Sequence, residues 1–189
     1  MISYLQDYNA PTLALLVVYF ATLVVLSFYG SHRYIMVYLY TRYAKGQPDP
    51  EPAGHYAPDD LPVVTIQLPM FNERYVAERL IDSVCLIDYP RELLEIQVLD
   101  DSTDDTTQLV ADVVARKAAE GIDIKLIHRE NRIGYKAGAL EEGLEVARGE
   151  LVAVFDADFL PRADFVHQTV HYFTDPGVGM VQTLSLIHI

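Results

Sequence analysis

The sequence predicts a parallel α/β domain that follows an N-terminal membrane helix. Two observations predict it. From Val63 onward, β-branched apolar runs alternate with segments of helical periodicity. Ahead of them, 24 consecutive residues from Tyr8 to Ser31 contain no Asp, Glu, Lys, Arg or His. With 51% hydrophobic and 22% charged residues among 189, the chain is too apolar for a disordered tail and long enough for one domain plus extra chain. Its 14 Lys and Arg against 27 Asp and Glu give a net charge of −13, which argues against a nucleic-acid binder with a clustered basic face. One cysteine, Cys85, excludes both a disulfide framework and a Cys-rich zinc site.

The apolar stretch is predicted to cross a bilayer as a helix. Roughly 20 residues at about 1.5 Å each span a hydrocarbon core of about 30 Å, and lipid leaves backbone groups no partner outside their own segment. No basic residue precedes the run, which fits a cleaved signal peptide poorly. Arg33, Arg42 and Lys45 follow it, so the positive-inside rule places the N-terminus outside and the remainder in the cytoplasm. Nine of the 13 tyrosines lie before residue 60, and Tyr34 to Tyr40 is expected as a helix at the interface. Residues 1–45 thus form the anchor. Residues 46–62, with five prolines from Gln47 to Pro62, read as a linker that cannot continue a helix.

The soluble part opens with Val63 to Leu68, a buried parallel strand stopped by Pro69. Glu73 to Cys85 sets Val76, Leu80, Ile81 and Val84 at helical spacing. Leu94 to Leu99 is a strand, Asp104 to Glu120 a helix, Ile122 to His128 a strand and Lys136 to Arg148 a helix. Leu151 to Phe155 is a fourth strand, Ala163 to Phe173 a helix, and Gly177 to Thr183 the beginning of a fifth strand. In such sheets ligands bind beyond the carboxyl ends of the strands, so the residues just after each strand carry the function.

Those ends are chemically loaded. They read Pro69-Met70-Phe71-Asn72-Glu73, Asp100-Asp101-Ser102-Thr103-Asp104, Asn131 to Ala139 around Lys136, and Asp156-Ala157-Asp158. Two carboxylates two residues apart suit one hard cation, Mg²⁺ or Mn²⁺, which takes oxygen ligands together with substrate phosphates. A lysine among small residues at a helix start suits a diphosphate. Each piece has a purely structural reading too: Asp and Ser after a strand cap helices, and an Asp-x-Asp arises by chance. Four such features at four successive strand ends are harder to dismiss.

In this order, Pro-Met-Phe-Asn-Glu, Leu-Asp-Asp-Ser-Thr-Asp, Gly-Tyr-Lys-Ala-Gly-Ala-Leu and Phe-Asp-Ala-Asp-Phe resemble family 2 glycosyltransferases, above all the cellulose-synthase-like branch with its glucomannan mannosyltransferases and β-glucan synthases. The resemblance covers residues 63–183 and implies the N-terminal half of a GT-A, Rossmann-like fold. By it Phe71 and Glu73 line a nucleoside pocket, Asp100 and Asp101 hold base and ribose, Lys136 lies by the diphosphate, and Asp156 with Asp158 bind a divalent metal. It further implies inverting transfer of a hexose from UDP-glucose or GDP-mannose to a β-linked polysaccharide, or alternatively to a lipid acceptor. The acceptor-side base and the Gln-x-x-Arg-Trp segment of the family are not in this sequence, which has no Trp, so donor binding without transfer is expected of it. A membrane-tethered sugar-nucleotide binder without catalysis is the rival from another class. The paired aspartates speak against it, as the missing Gly-x-Gly-x-x-Gly speaks against a dehydrogenase.

Two features stay outside the functional reading. His167 and His171 have the spacing of a zinc site, but Gln168 stands where that motif needs Glu. Residues 184–189, Leu-Ser-Leu-Ile-His-Ile, match the translation of a transposon-end sequencing adapter and are expected to be an artefactual tail.

Overall fold

A computed structural model describes residues 10–44 and 50–183; the expected tail lies outside them. The chain divides into two compact units, Met1–Pro50 and Glu51–Ile189.

The first unit is helix α1, Ala10–Leu39, followed by one turn of π-helix, Tyr40–Ala44. None of the residues of α1 is buried, although large apolar side chains cover it from Leu13 to Tyr29 and again from Tyr34 to Leu39. A helix apolar on every side needs a lipid or protein surround, and its 30 residues span about 45 Å at 1.5 Å each, longer than a hydrocarbon core. The segment Tyr34–Tyr40, expected as a separate interfacial helix, continues α1 without a break to Leu39. Nothing in it interrupts the helix, since the first proline after the span is Pro48.

In the second unit, β1 (Val64–Met70), β2 (Leu94–Asp100), β3 (Ile124–His128) and β4 (Leu151–Val154) form one parallel sheet in the order β3-β2-β1-β4. Helices α2 (Arg74–Val84), α3 (Thr106–Ala119) and α4 (Tyr135–Glu145) fill the connections, and α5 (Phe165–Val170) follows β4. One face of the sheet is dry: Val64, Ile66 and Leu68 of β1 and Ile96 and Val98 of β2 cluster with Ala77, Leu80, Ile81 and Val84 of α2. Cys85 packs against this core, and burial pushes its thiol up to about 11, so it is an inert apolar side chain.

The other face is polar yet just as buried. Thr65 donates to Glu95 (2.6 Å) and Gln67 to Gln97 (3.0 Å), cross-strand pairs beneath α4 and the turn that follows it. Gly143 and Gly149 are required there: a Cβ would come 2.5 Å from Gln67 Nε2 at the first and 2.4 Å from Thr65 N at the second. Glu95 is fully buried. Burial by itself raises its carboxyl, but the N–H of Arg148 (2.7 Å), Lys125 (2.7 Å) and Thr65 outweigh this and hold it below the ordinary glutamate value of 4.5. A depressed folded value means that its contribution to stability is complete above pH 4.5 and is lost as pH falls through the folded value. Thermal midpoints measured from pH 7 to pH 3 should therefore fall more steeply in the parent chain than in Glu95→Gln.

Three expectations change at this level. Pro69 does not stop the first strand but lies inside it. Gln67 turns its carbonyl to β4 and Met70 turns its own to the Asp101 N–H, so the nitrogen of Pro69 faces the β4 side, where pairing has already ended at Gln67. No ladder bond is missing there. Residues 177–183 form no strand, since they have no pairing neighbour among the described residues, and Met180 is 79% exposed. Finally, the linker segment is folded onto the second unit from Glu51 onward. Tyr56 donates its N–H to His171 Nδ1 (3.2 Å) and its hydroxyl to the Phe173 carbonyl (3.1 Å), and Tyr89 donates to the Pro62 carbonyl (2.7 Å). Proline limits this segment to the 3₁₀ turn Pro58–Asp60 but does not prevent it from packing.

Candidate active site

The strand order fixes where a ligand can enter. From β1 the chain runs outward through β2 to β3, then returns to the other side of β1 for β4, so the direction reverses between β1 and β4. Beyond Gln67 these two strands separate, and a cavity of about 560 Å³ opens at their carboxyl ends. Its walls carry Phe71 and Glu73 from the end of β1, Asp101 from the end of β2, Arg132 and Lys136 from the β3–α4 connection, and Asp156 and Asp158 from the end of β4.

Asp156 and Asp158 are exposed while Ala157 between them is buried. The segment is a tight turn, closed by the Phe159 N–H donating to the Asp156 carbonyl (2.9 Å), and both carboxylates line the cavity. Phe155 anchors the segment in the core, stacked on Phe159 at 5.5 Å and edge-on to Phe165 at 4.9 Å. Lys136, in the first turn of α4, donates to Asp156 Oδ1 across the cavity. Among the described residues no group of three or more His, Cys, Asp and Glu is arranged to hold a metal ion. A pair of carboxylates is the donor set for a cation that keeps waters and shares substrate phosphates.

Asp100 and Asp101 part company. Asp101 borders the cavity. Asp100 is fully buried and faces inward, accepting from the Ser102 N–H (3.1 Å) and from Thr107 (2.7 Å), with His128 Nδ1 at 2.9 Å. It clamps the end of β2 to the start of α3 and the end of β3.

Several residues matter here that their sequence context left unmarked. Asn72 adopts φ of 54°, the left-handed region that Asn tolerates better than most residues. It accepts from the Thr103 N–H (3.0 Å) and donates its own N–H to Ser102 Oγ (2.9 Å), a reciprocal tie between the loops after β1 and β2. Arg132 lays its guanidinium 3.2 Å from the centre of the Phe71 ring. Arg129 is buried, with Nε and Nη2 donating to the two oxygens of Asp101 at 2.7 and 2.5 Å. That carboxylate raises the guanidinium above its usual value. An arginine after a strand reads as a solvated loop residue, and only the register of β3 against β2 brings Arg129 to Asp101.

Comparison with known proteins fits this geometry. The glycosyl transferase family 2 profile matches residues 65–187. The chain belongs to that family. It is 45% identical over 128 residues to glucomannan 4-beta-mannosyltransferase 2 of Arabidopsis thaliana, covering 65% of this chain and 24% of the relative. With glucomannan 4-beta-mannosyltransferase 9 of the same plant it shares 48% over 126 residues, 64% of this chain and 24% of the relative. The chain therefore spans about a quarter of the curated relatives it matches. Among solved structures it resembles a mannosyltransferase from Pyrobaculum calidifontis in complex with GDP-Man and Mn²⁺, with a TM-score of 0.65 and 31% identity over 83% of this chain and 44% of that one. As a family 2 member with this parallel sheet, the second unit has the GT-A type of fold expected from the resemblance.

Proposed function

We propose that this family 2 glycosyltransferase binds a nucleoside-diphosphate hexose in the cavity between β1 and β4, with GDP-mannose preferred to UDP-glucose, for transfer of the sugar to a β-linked polysaccharide. The observation that carries the reading is the meeting of Phe71, Glu73, Asp101, Lys136, Asp156 and Asp158 in one cavity at the reversal of strand order. The preference for mannose is supported by the mannosyltransferase relatives and by the GDP-Man and Mn²⁺ complex of the structural neighbour.

In this reading Phe71 and Glu73 take the nucleoside together with Asp101, while Asp100 acts from behind by holding the loop. Asp156 and Asp158 hold a divalent cation, Mn²⁺ or Mg²⁺. Such an ion neutralises the charge that develops on the leaving nucleoside diphosphate. Lys136 pairs with Asp156 at the cavity wall and offers its charge to a diphosphate there. No described residue is assigned as the base that deprotonates the acceptor. We place α1 across a membrane with the N-terminus outside and the GT-A unit in the cytoplasm, following the basic residues after the span.

Calorimetric titration of the chain in detergent micelles with GDP-mannose and with UDP-glucose, each with and without Mn²⁺, tests this. Binding of GDP-mannose that requires Mn²⁺ is expected. A folded chain that takes up neither sugar nucleotide sinks the proposal.

A further inference from the structure

We infer that Arg129 is a positioning residue that sets the two halves of the donor site at a fixed distance; this rests on the donor-site reading above. The guanidinium has only 5% of its side chain exposed and serves two groups that belong to different parts of the cavity. Through Nε and Nη2 it holds both oxygens of Asp101, on the nucleoside side. Through Nη1 and Nη2 it also donates to the carbonyls of Ile133 (3.2 Å) and Tyr135 (3.0 Å). Those carbonyls flank the turn that opens α4, where Gly134 and Tyr135 both lie in the left-handed region, with φ of 74° and 51°.

Two consecutive residues in that region, one of them aromatic, stay there only if the surroundings hold them. Arg129 supplies that hold from the side. The next residue is Lys136, on the diphosphate side. One planar cation therefore ties the carboxylate at the end of β2 to the lysine at the start of α4. Four of its five N–H groups are used in this way, and Glu142 stands 3.9 Å from Nη1, partners that a buried charge needs. Lysine cannot replace it, because a compact ammonium does not reach four acceptors in a plane.

The role makes a claim that mere stability does not. If Arg129 fixes Lys136 relative to the nucleoside, its loss should remove the advantage of a diphosphate over a monophosphate, not only lower the melting point. The experiment measures GMP and GDP dissociation constants with Mn²⁺ for the full chain in detergent, in the parent, Arg129→Lys, the doubly neutral Asp101→Asn/Arg129→Gln, and Lys136→Met as the reference. The doubly neutral variant leaves no buried charge unpaired and folds even if Arg129→Lys does not. In both Arg129 variants the preference for GDP over GMP should fall by about tenfold, the scale of one charge-assisted hydrogen bond, towards the value of Lys136→Met. A lowered melting point with the preference kept within twofold of the parent overturns the inference. A parent chain that binds neither nucleotide removes the donor reading and this inference with it.

Discussion

The double variant Asp156→Ala/Asp158→Ala should fold as the parent does and bind a sugar nucleotide in Mn²⁺ more than about hundredfold more weakly. The magnitude follows from where the residues stand: removing a group that only supports a metal ligand costs about 10–100-fold, so removing the ligands must cost more. Folding should survive because both side chains are exposed, and the hydrogen bond to Lys136 joins two groups that are half exposed or more. Surface pairs of this kind contribute about 0–1 kcal/mol. Phe155, which anchors the segment, is untouched. Circular dichroism with a thermal melt checks the first half of the prediction, and titration with GDP-mannose in Mn²⁺ checks the second. A folded double variant that binds as the parent does would show that these carboxylates hold no metal. Weakened binding in Mn²⁺-free buffer as well would show that they act on the nucleotide directly.

The aspartates could be read from sequence because strand and loop are both local. Four hydrophobic runs of strand length, each followed by polar residues, fix which side chains stand at the carboxyl end of a parallel sheet, whatever the order of the strands. The strand order itself was not legible, so nothing in the sequence said that β1 and β4 would be neighbours and would part after Gln67. Pro69 misled for the same reason. As a local signal it ends a strand, and only the end of the β4 ladder makes its missing N–H harmless. The split between Asp100 and Asp101 is tertiary as well: the two are adjacent and of one type, and it is Thr107 and His128, brought in by α3 and β3, that take Asp100 inward. Arg129 and Arg132 could not be told apart from other loop arginines before β3 was placed against β2. The expected strand at 177–183 failed because propensity alone does not make a strand without a neighbour to pair with.

Gly138→Ala should cost about 1–3 kcal/mol, the range for forcing atoms into a filled space, and should weaken donor binding as well. In the sequence this glycine belongs to a run of small residues that suggested room for a diphosphate. Its surroundings give a different reason for it. A Cβ at Gly138 would stand 2.1 Å from the carbonyl oxygen of Ile133 and 3.0 Å from Arg129 Nη1. The first is backbone, so the clash cannot be relieved by a side chain swinging away. The Ile133 carbonyl must move, and it is one of the acceptors that Arg129 holds. The methyl group therefore acts on the turn at Gly134 and Tyr135 and, through it, on the placement of Lys136. Gly30, by contrast, lies inside α1 with nothing within 4 Å of where its Cβ would stand, so Gly30→Ala should not lower the melt. Thermal melts of the two variants check the stability term, and GDP titration in Mn²⁺ checks the functional one. A Gly138→Ala chain that melts with the parent would mean that the turn yields at little cost, and that the hold of Arg129 on it is weak.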